Sequence, residues 1–104
     1  MANASILGEV VDLDGNRVVL LRQIWRGKIV RDHPEIAEHM AGVLRTVGTP
    51  DHVAGDPANA GRTRFYARGV GPSLWLLVVV SYEQVPARIV SAFANRKDPR
   101  SWSA

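Results

Sequence analysis

The stretch Leu74-Trp75-Leu76-Leu77-Val78-Val79-Val80-Ser81-Tyr82 admits few folds. Its apolar residues do not alternate with polar ones, so a strand made from it has no solvent side and needs cover on both faces. It is far shorter than the roughly 20 residues that cross a bilayer. The run predicts a central strand in a sheet at the middle of one hydrophobic core.

Strands are expected on either side of it. Thr63 to Ala67 alternates, with Phe65 and Ala67 on one face and Arg64, Tyr66 and Arg68 on the other. Arg88 to Phe93 supplies an antiparallel neighbour, reached through Glu83-Gln84-Val85-Pro86, a connection of hairpin length. Near the start, Ile6 to Leu13 and Arg17 to Arg22 flank Asp14-Gly15-Asn16, whose residues tolerate the positive φ of a tight hairpin turn.

The middle of the chain reads as helical. Ile24, Trp25, Lys28 and Ile29 share a face in a helix over Gln23 to Arg31, although Gly27 weakens it. His33-Pro34-Glu35 breaks this helix and opens another, with Asp32 at or beside the N-cap. Ile36, Met40, Val43, Leu44 and Val47 then repeat at helical spacing until Gly48-Thr49-Pro50 stops the helix. The turn-rich segment Gly55 to Gly61 links the helical half to the sheet as a surface loop. The expectation is an α+β fold: an N-terminal hairpin, a helical pair, then an antiparallel sheet. Residues 1–104 form one domain, with 95–104 as a tail and Trp102 packing back onto the body. Trp25 and Trp75 belong to the core.

Composition narrows the function classes. The 104 residues include no cysteine, which removes a disulfide framework and thiolate metal sites. His33, His39 and His52 are spaced too irregularly for a helical metal pair, and no glycine-rich phosphate loop, dinucleotide fingerprint or HExxH motif is present. No cofactor and no membrane contact are expected, and a cytoplasmic location fits best.

The net charge of +3 hides an asymmetry, because residues 1–60 carry 6 Lys/Arg against 8 Asp/Glu while residues 61–104 carry 7 against 2. Arg62, Arg64, Arg68, Arg88, Arg96, Lys97 and Arg100 form either a patch for a polyanion such as RNA or a solvated sheet face with a basic tail. His33, Lys28, Arg31, Arg64, Tyr66 and Ser91 are the groups that metal-independent phosphodiester cleavage uses: an imidazole for proton transfer, cations for the phosphate, hydroxyls to orient it. Each also has a purely structural use, as a helix-end histidine, an outer strand arginine or a small surface serine.

The segment Trp25-x-x-Lys28-Ile29-x-x-x-His33-Pro34-Glu35, the helix ending in Gly48-Thr49-Pro50-Asp51, Arg64-Phe65-Tyr66, the strand Trp75 to Tyr82 and the strand Arg88-Ile89-Val90-Ser91-Ala92-Phe93 follow one another in an informative order. Together they resemble a family of phage-associated domains of the barnase–EndoU–colicin–RelE (BECR) ribonuclease-like class, over roughly residues 20 to 94. That resemblance implies a helical pair on a four-stranded antiparallel sheet, with RNA lying across an open sheet face. It also implies toxin-like cleavage leaving a 2′,3′-cyclic phosphate, with His33 as acid or base, Arg64 and Tyr66 at the phosphate and Ser91 at the hydroxyl position. Lys28 stands where the family pattern has a further histidine, and a lysine is a poor proton shuttle near neutrality unless burial lowers its pKa. An acidic inhibitor protein is a partner consistent with a toxin. A non-catalytic nucleic-acid- or protein-binding module is the alternative, and an uncovered face on the Leu74–Val80 strand would favour a homodimer.

Overall fold

The computed structural model describes residues 5–99. Strand β5 (Trp75–Ser81) is buried at every position, as its unbroken apolar run requires. At about 2 kcal/mol per fully buried aliphatic side chain, this strand alone gains an amount comparable with the net stability of a small domain. It lies inside a six-stranded sheet of order β1-β2-β6-β5-β4-β3. Its neighbours, β4 (Arg62–Arg68) and β6 (Ala87–Asn95), both run antiparallel to it.

The N-terminal hairpin has the expected form, with β1 (Ile6–Val11) and β2 (Arg17–Leu21) joined through a turn in which Gly15 adopts φ 85°. It does not stand apart from the sheet. β2 pairs in parallel with β6 through Val18 opposite Ala87 and Val19 opposite Arg88, so the sheet is mixed and larger than the four-stranded antiparallel one that the resemblance implies. Parallel pairing of distant segments leaves no local signature, because no short turn joins the two strands. A further edge strand, β3 (His52–Gly55), pairs with β4 and was not foreseen, since four residues between a proline and a turn-rich loop carry too short a pattern.

Helical structure runs from α1 (Arg22–Ile24) through a π-helical segment (Trp25–Ile29) into α2 (Val30–Asp32). The amide of Val30 donates to the carbonyl of Trp25, the wider spacing that defines the π turn. Trp25 and Ile29 are buried on one side of it. The next helix starts later than its apolar spacing predicts. Pro34–Ile36 forms a 3₁₀ turn entered from His33, Ile36 is buried by that turn, and α3 covers only Met40–Gly48. Asp32 closes α2 and does not cap its successor.

The helices cover one sheet face. Trp25, Ile29, Ile36, Val43 and Val47 pack there with Val18, Leu20, Phe65, Leu76, Val78, Val80 and Ile89. The opposite face carries a second apolar cluster of Tyr66, Trp75, Leu77 and Val79, bordered by Ala54, Val90 and Phe93. Leu77 is 1 % exposed and Val79 7 %, so this face is not open along β5. Both sides of the strand are thus buried within one chain. The final strand extends through Asn95, one residue into the stretch read as a tail, and Pro99 is buried. Trp102 and Arg100 lie outside the described residues.

One polar cluster ties the hairpin to the body. The Asp12 carboxylate accepts hydrogen bonds from the amides of Asp14 and Asn16 at 2.9 and 2.8 Å, from Asn16 Nδ2 at 3.1 Å and from the Tyr82 hydroxyl at 2.7 Å. Burial pushes its pKa up, but these donors outweigh burial and hold it below the ordinary 3.8. A carboxyl depressed in the fold stabilises it above the unfolded value and loses that contribution as pH falls through the folded one. Urea titrations are therefore expected to show stability falling on acidification below about pH 4. Asp12→Asn should flatten part of that fall and lower stability near neutrality by about 1–3 kcal/mol.

Helix α3 approaches the Val70 segment closely at Gly42, where an added Cβ would collide with the Val70 carbonyl oxygen. Backbone atoms yield poorly to such a collision. Gly42→Ala is expected to cost about 1–3 kcal/mol in a thermal or urea melt despite alanine's better helix propensity.

Candidate functional site

The sheet face opposite the helices can be followed as rows of side chains, because residues directly paired across strands point the same way. One row runs Arg62, Ser81, Arg88; the next runs Ala54, Arg64, Val79, Ser91; a third runs His52, Tyr66, Leu77, Phe93. Arg64, Tyr66 and Ser91, chosen from the sequence, thus share one face. Arg64 and Ser91 stand two strands apart, about 10 Å between backbones.

A β-bulge sets the direction of Ser91. The β5–β6 register shifts at Val79/Val80, where Val80 pairs with Ile89 but Val79 pairs with Ser91, leaving Val90 as the extra residue. Ile89 and Ala92 are buried in the helix-side core, while Val90 borders the opposite cluster. Unbroken alternation from Ile89 would have turned Ser91 into the helix-side core, so the bulge is what aims it outward. At the same residue, the Val90 carbonyl accepts a hydrogen bond from Lys28 Nζ at 2.8 Å. The π-helical segment carrying Lys28 packs along β6, and the ammonium it delivers beside Ser91 is anchored by the backbone rather than left mobile.

His33 arrives at the same stretch from the break between α2 and the 3₁₀ turn. Its ring stacks on Phe93, with centroids 5.2 Å apart and planes inclined by 28°. Its Nδ1 lies 3.7 Å from Glu35 Oε2, and both side chains are about two-fifths exposed. Lys28 and His33 therefore meet β6 at Val90 and Phe93, the two sides of Ser91. Alternate side chains on one strand are about 7 Å apart, a distance one phosphodiester and its ribose can bridge.

The other expected residues are less engaged. Arg31 is exposed and its Nε donates to the adjacent Asp32 carboxylate at 3.0 Å. Tyr66 is buried, 3 % exposed, with its ring 5.5 Å from that of His52, so it forms floor rather than contact surface. Arg64 reaches Asp56 at 3.5 Å, while its Nε is buried without a hydrogen-bond partner among the described residues. His52 and His33 occupy opposite ends of the third row, about three strand spacings apart, too far to serve one phosphate.

Glu35 was not singled out from the sequence as a site residue, and Arg62 only as a member of the basic cluster. Glu35 stands two residues after His33, which caps the 3₁₀ turn, and the 3.7 Å contact joins the two there; Arg62 follows from its two-residue spacing to Arg64 on the same face. Among the described residues no three His, Asp or Glu side chains gather as a metal-ligand set, and no helix is long and apolar enough to cross a membrane.

No family model matches the chain, and neither curated proteins nor solved structures yield a match. The likeness to the BECR class rests on the motifs alone.

Lys28→Met keeps the aliphatic stem and removes the donor to Val90. It is expected to lower the urea midpoint by an amount equivalent to about 1 kcal/mol, discounted for partial exposure. An unchanged midpoint would mean that water replaces the ammonium at no cost.

Proposed function

We propose that the protein is a metal-independent endoribonuclease acting at the Val90–Phe93 stretch of β6. The observation that carries this reading is the meeting of Lys28 and His33, from two parts of the helical segment, on either side of Ser91. Cleavage by the ribose 2′-hydroxyl needs a base for that hydroxyl, an acid for the leaving 5′-oxygen and positive charge at the phosphate. The His33–Glu35 pair supplies an imidazole and a carboxylate, one to accept and one to donate a proton. Lys28 contributes charge and not proton transfer, because its ammonium is held by the Val90 carbonyl. Ser91 orients a phosphate oxygen, and Arg64 attracts the chain from across β5. Phe93 fixes the imidazole plane.

An acidic inhibitor protein is the partner that would block such a face, as for a toxin. One observation favours binding without cleavage: His33 has no second histidine beside it, so the chemistry depends on Glu35.

Incubation of mixed-sequence RNA with the purified chain in chelator, at neutral pH and low salt, is expected to yield 2′,3′-cyclic phosphate ends. His33→Ala should reduce the rate by about 100-fold or more, and Glu35→Gln should reduce it while shifting the pH profile. Intact RNA, or a rate indifferent to His33, would leave only the binding reading.

A further inference from the structure

The helices leave part of their sheet face uncovered. A cavity of about 440 Å³ opens there between the β1–β2 turn and the side chains of Val53, Thr63 and Phe65 on β3 and β4, with Tyr82 also in its wall and no helical residue lining it. That volume falls within the range of small-molecule sites. Val53 pairs with Phe65 and points the same way, and Phe65 packs in the helix-side core. The cavity therefore lies on the face turned away from Val90 and Phe93, which border the opposite cluster.

Its apolar part is open to a ligand, since Val53 is 42 % exposed and Leu13, in the turn, 68 %, above a buried floor at Phe65. Its polar part carries charge of one sign. Asp12 and Asp14 line it, no Lys, Arg or His does, and Arg17 of the hairpin is committed to Glu9 by bonds of 3.0 and 3.1 Å. The two carboxylates differ in what they offer. The oxygens of Asp12 are filled by donors from Asp14, Asn16 and Tyr82, so it acts through its charge and not through a contact. Asp14 is exposed, and its carboxylate makes no hydrogen bond or ion pair among the described residues. Burial, the Asp12 hydrogen bond and the charges of Asp12 and Asp14 together push the Tyr82 pKa up, so the free carboxylate acts on the same hydroxyl that Asp12 holds.

A recess with apolar walls and uncompensated charge focuses its field and draws the opposite charge. A metal ion is poorly served, because Asp12 has no oxygen left to ligate and the described residues gather no three His, Asp or Glu side chains. We infer that this cavity binds a small organic cation, an ammonium group on an apolar body, with Asp14 meeting the ammonium and Val53, Leu13 and Phe65 meeting the body. Asp12 adds charge from behind and fixes the turn that carries Asp14. The same charges repel phosphates, so the ligand is distinct from RNA and independent of the ribonuclease reading.

The test is titration of the full isotope-labelled chain with phenethylamine, protonated at neutral pH, followed by amide chemical shifts at low salt. Neutral phenethyl alcohol and anionic hydrocinnamate are the comparison ligands. The amine is expected to shift the amides of Asp14, Asn16, Gly61 and Thr63 saturably, with a Kd of about 1 mM, an ordinary strength for so few atoms. The alcohol should bind about 10-fold more weakly, and hydrocinnamate should give no saturable shift. Asp14→Asn should weaken the amine by about 5-fold, the effect of one charge near 4 Å in water, and leave the alcohol as it was. A thermal melt of that variant checks its fold, which an exposed carboxylate without a bond is not needed to hold. Equal affinity for amine and alcohol, or an amine affinity unchanged in folded Asp14→Asn, would overturn the cation assignment. Shifts of these amides with calcium chloride and not with the amine would overturn it in favour of a metal. No saturable shift at these amides with any of the ligands would overturn the site while leaving RNA cleavage at His33 standing.

Discussion

A strand that is apolar on both faces obliges its chain to build cover twice. Around β5 the helices make one layer, and the second is a tight cluster of side chains from β4, β5 and β6 rather than another set of helices. Every other placement follows from that demand. The hairpin widens the sheet beyond β6, α3 presses on β1, β4 and β5, and the arginines of β4 are pushed to the margins of an apolar patch. A basic face thus arises as the border of a buried one.

The candidate site depends on an irregularity in that otherwise regular scheme. Two neighbouring residues of β6, Val90 and Ser91, turn to the same side because one of them is unpaired with β5. The carbonyl of the bulged residue holds Lys28, and the adjacent position carries a hydroxyl. The helical segment has its own irregularity in the π turn that carries Lys28. Bulges and π turns cost regular hydrogen bonding and tend to occur where a side chain must be re-aimed, as both do here.

Much of this was legible in the residues. The double-sided strand, the Phe65/Tyr66 alternation, the hairpin turn at Gly15 and the burial of Trp25 and Trp75 all come from patterns spanning only a few positions, which local sequence records well. The parallel β2–β6 pair was hidden because it joins segments from opposite ends of the chain. Strand β3 was too short to show a period. The delayed start of α3 shows a different limit: Ile36 has the right spacing to continue the helix backwards, yet its burial is achieved by a 3₁₀ turn that proline permits and helical periodicity does not separate from an α-turn. At the site, the common face of Arg64, Tyr66 and Ser91 was readable only as separate motifs, since Ser91 points outward solely through the bulge. The pairing of Lys28 with a backbone carbonyl had no sequence signal at all.

The parallel junction of β2 with β6 also orders the life of the chain during synthesis. The hairpin precedes the strand that closes its inner edge, with the whole helical segment, α3 and β3 to β5 between them. Until β6 is made, Val18 and Val19 have no neighbour on that side. The nascent hairpin is therefore a sticky, unfinished edge, and burial of its apolar residues waits on the arrival of β6, so β2 and β6 become native in the same event.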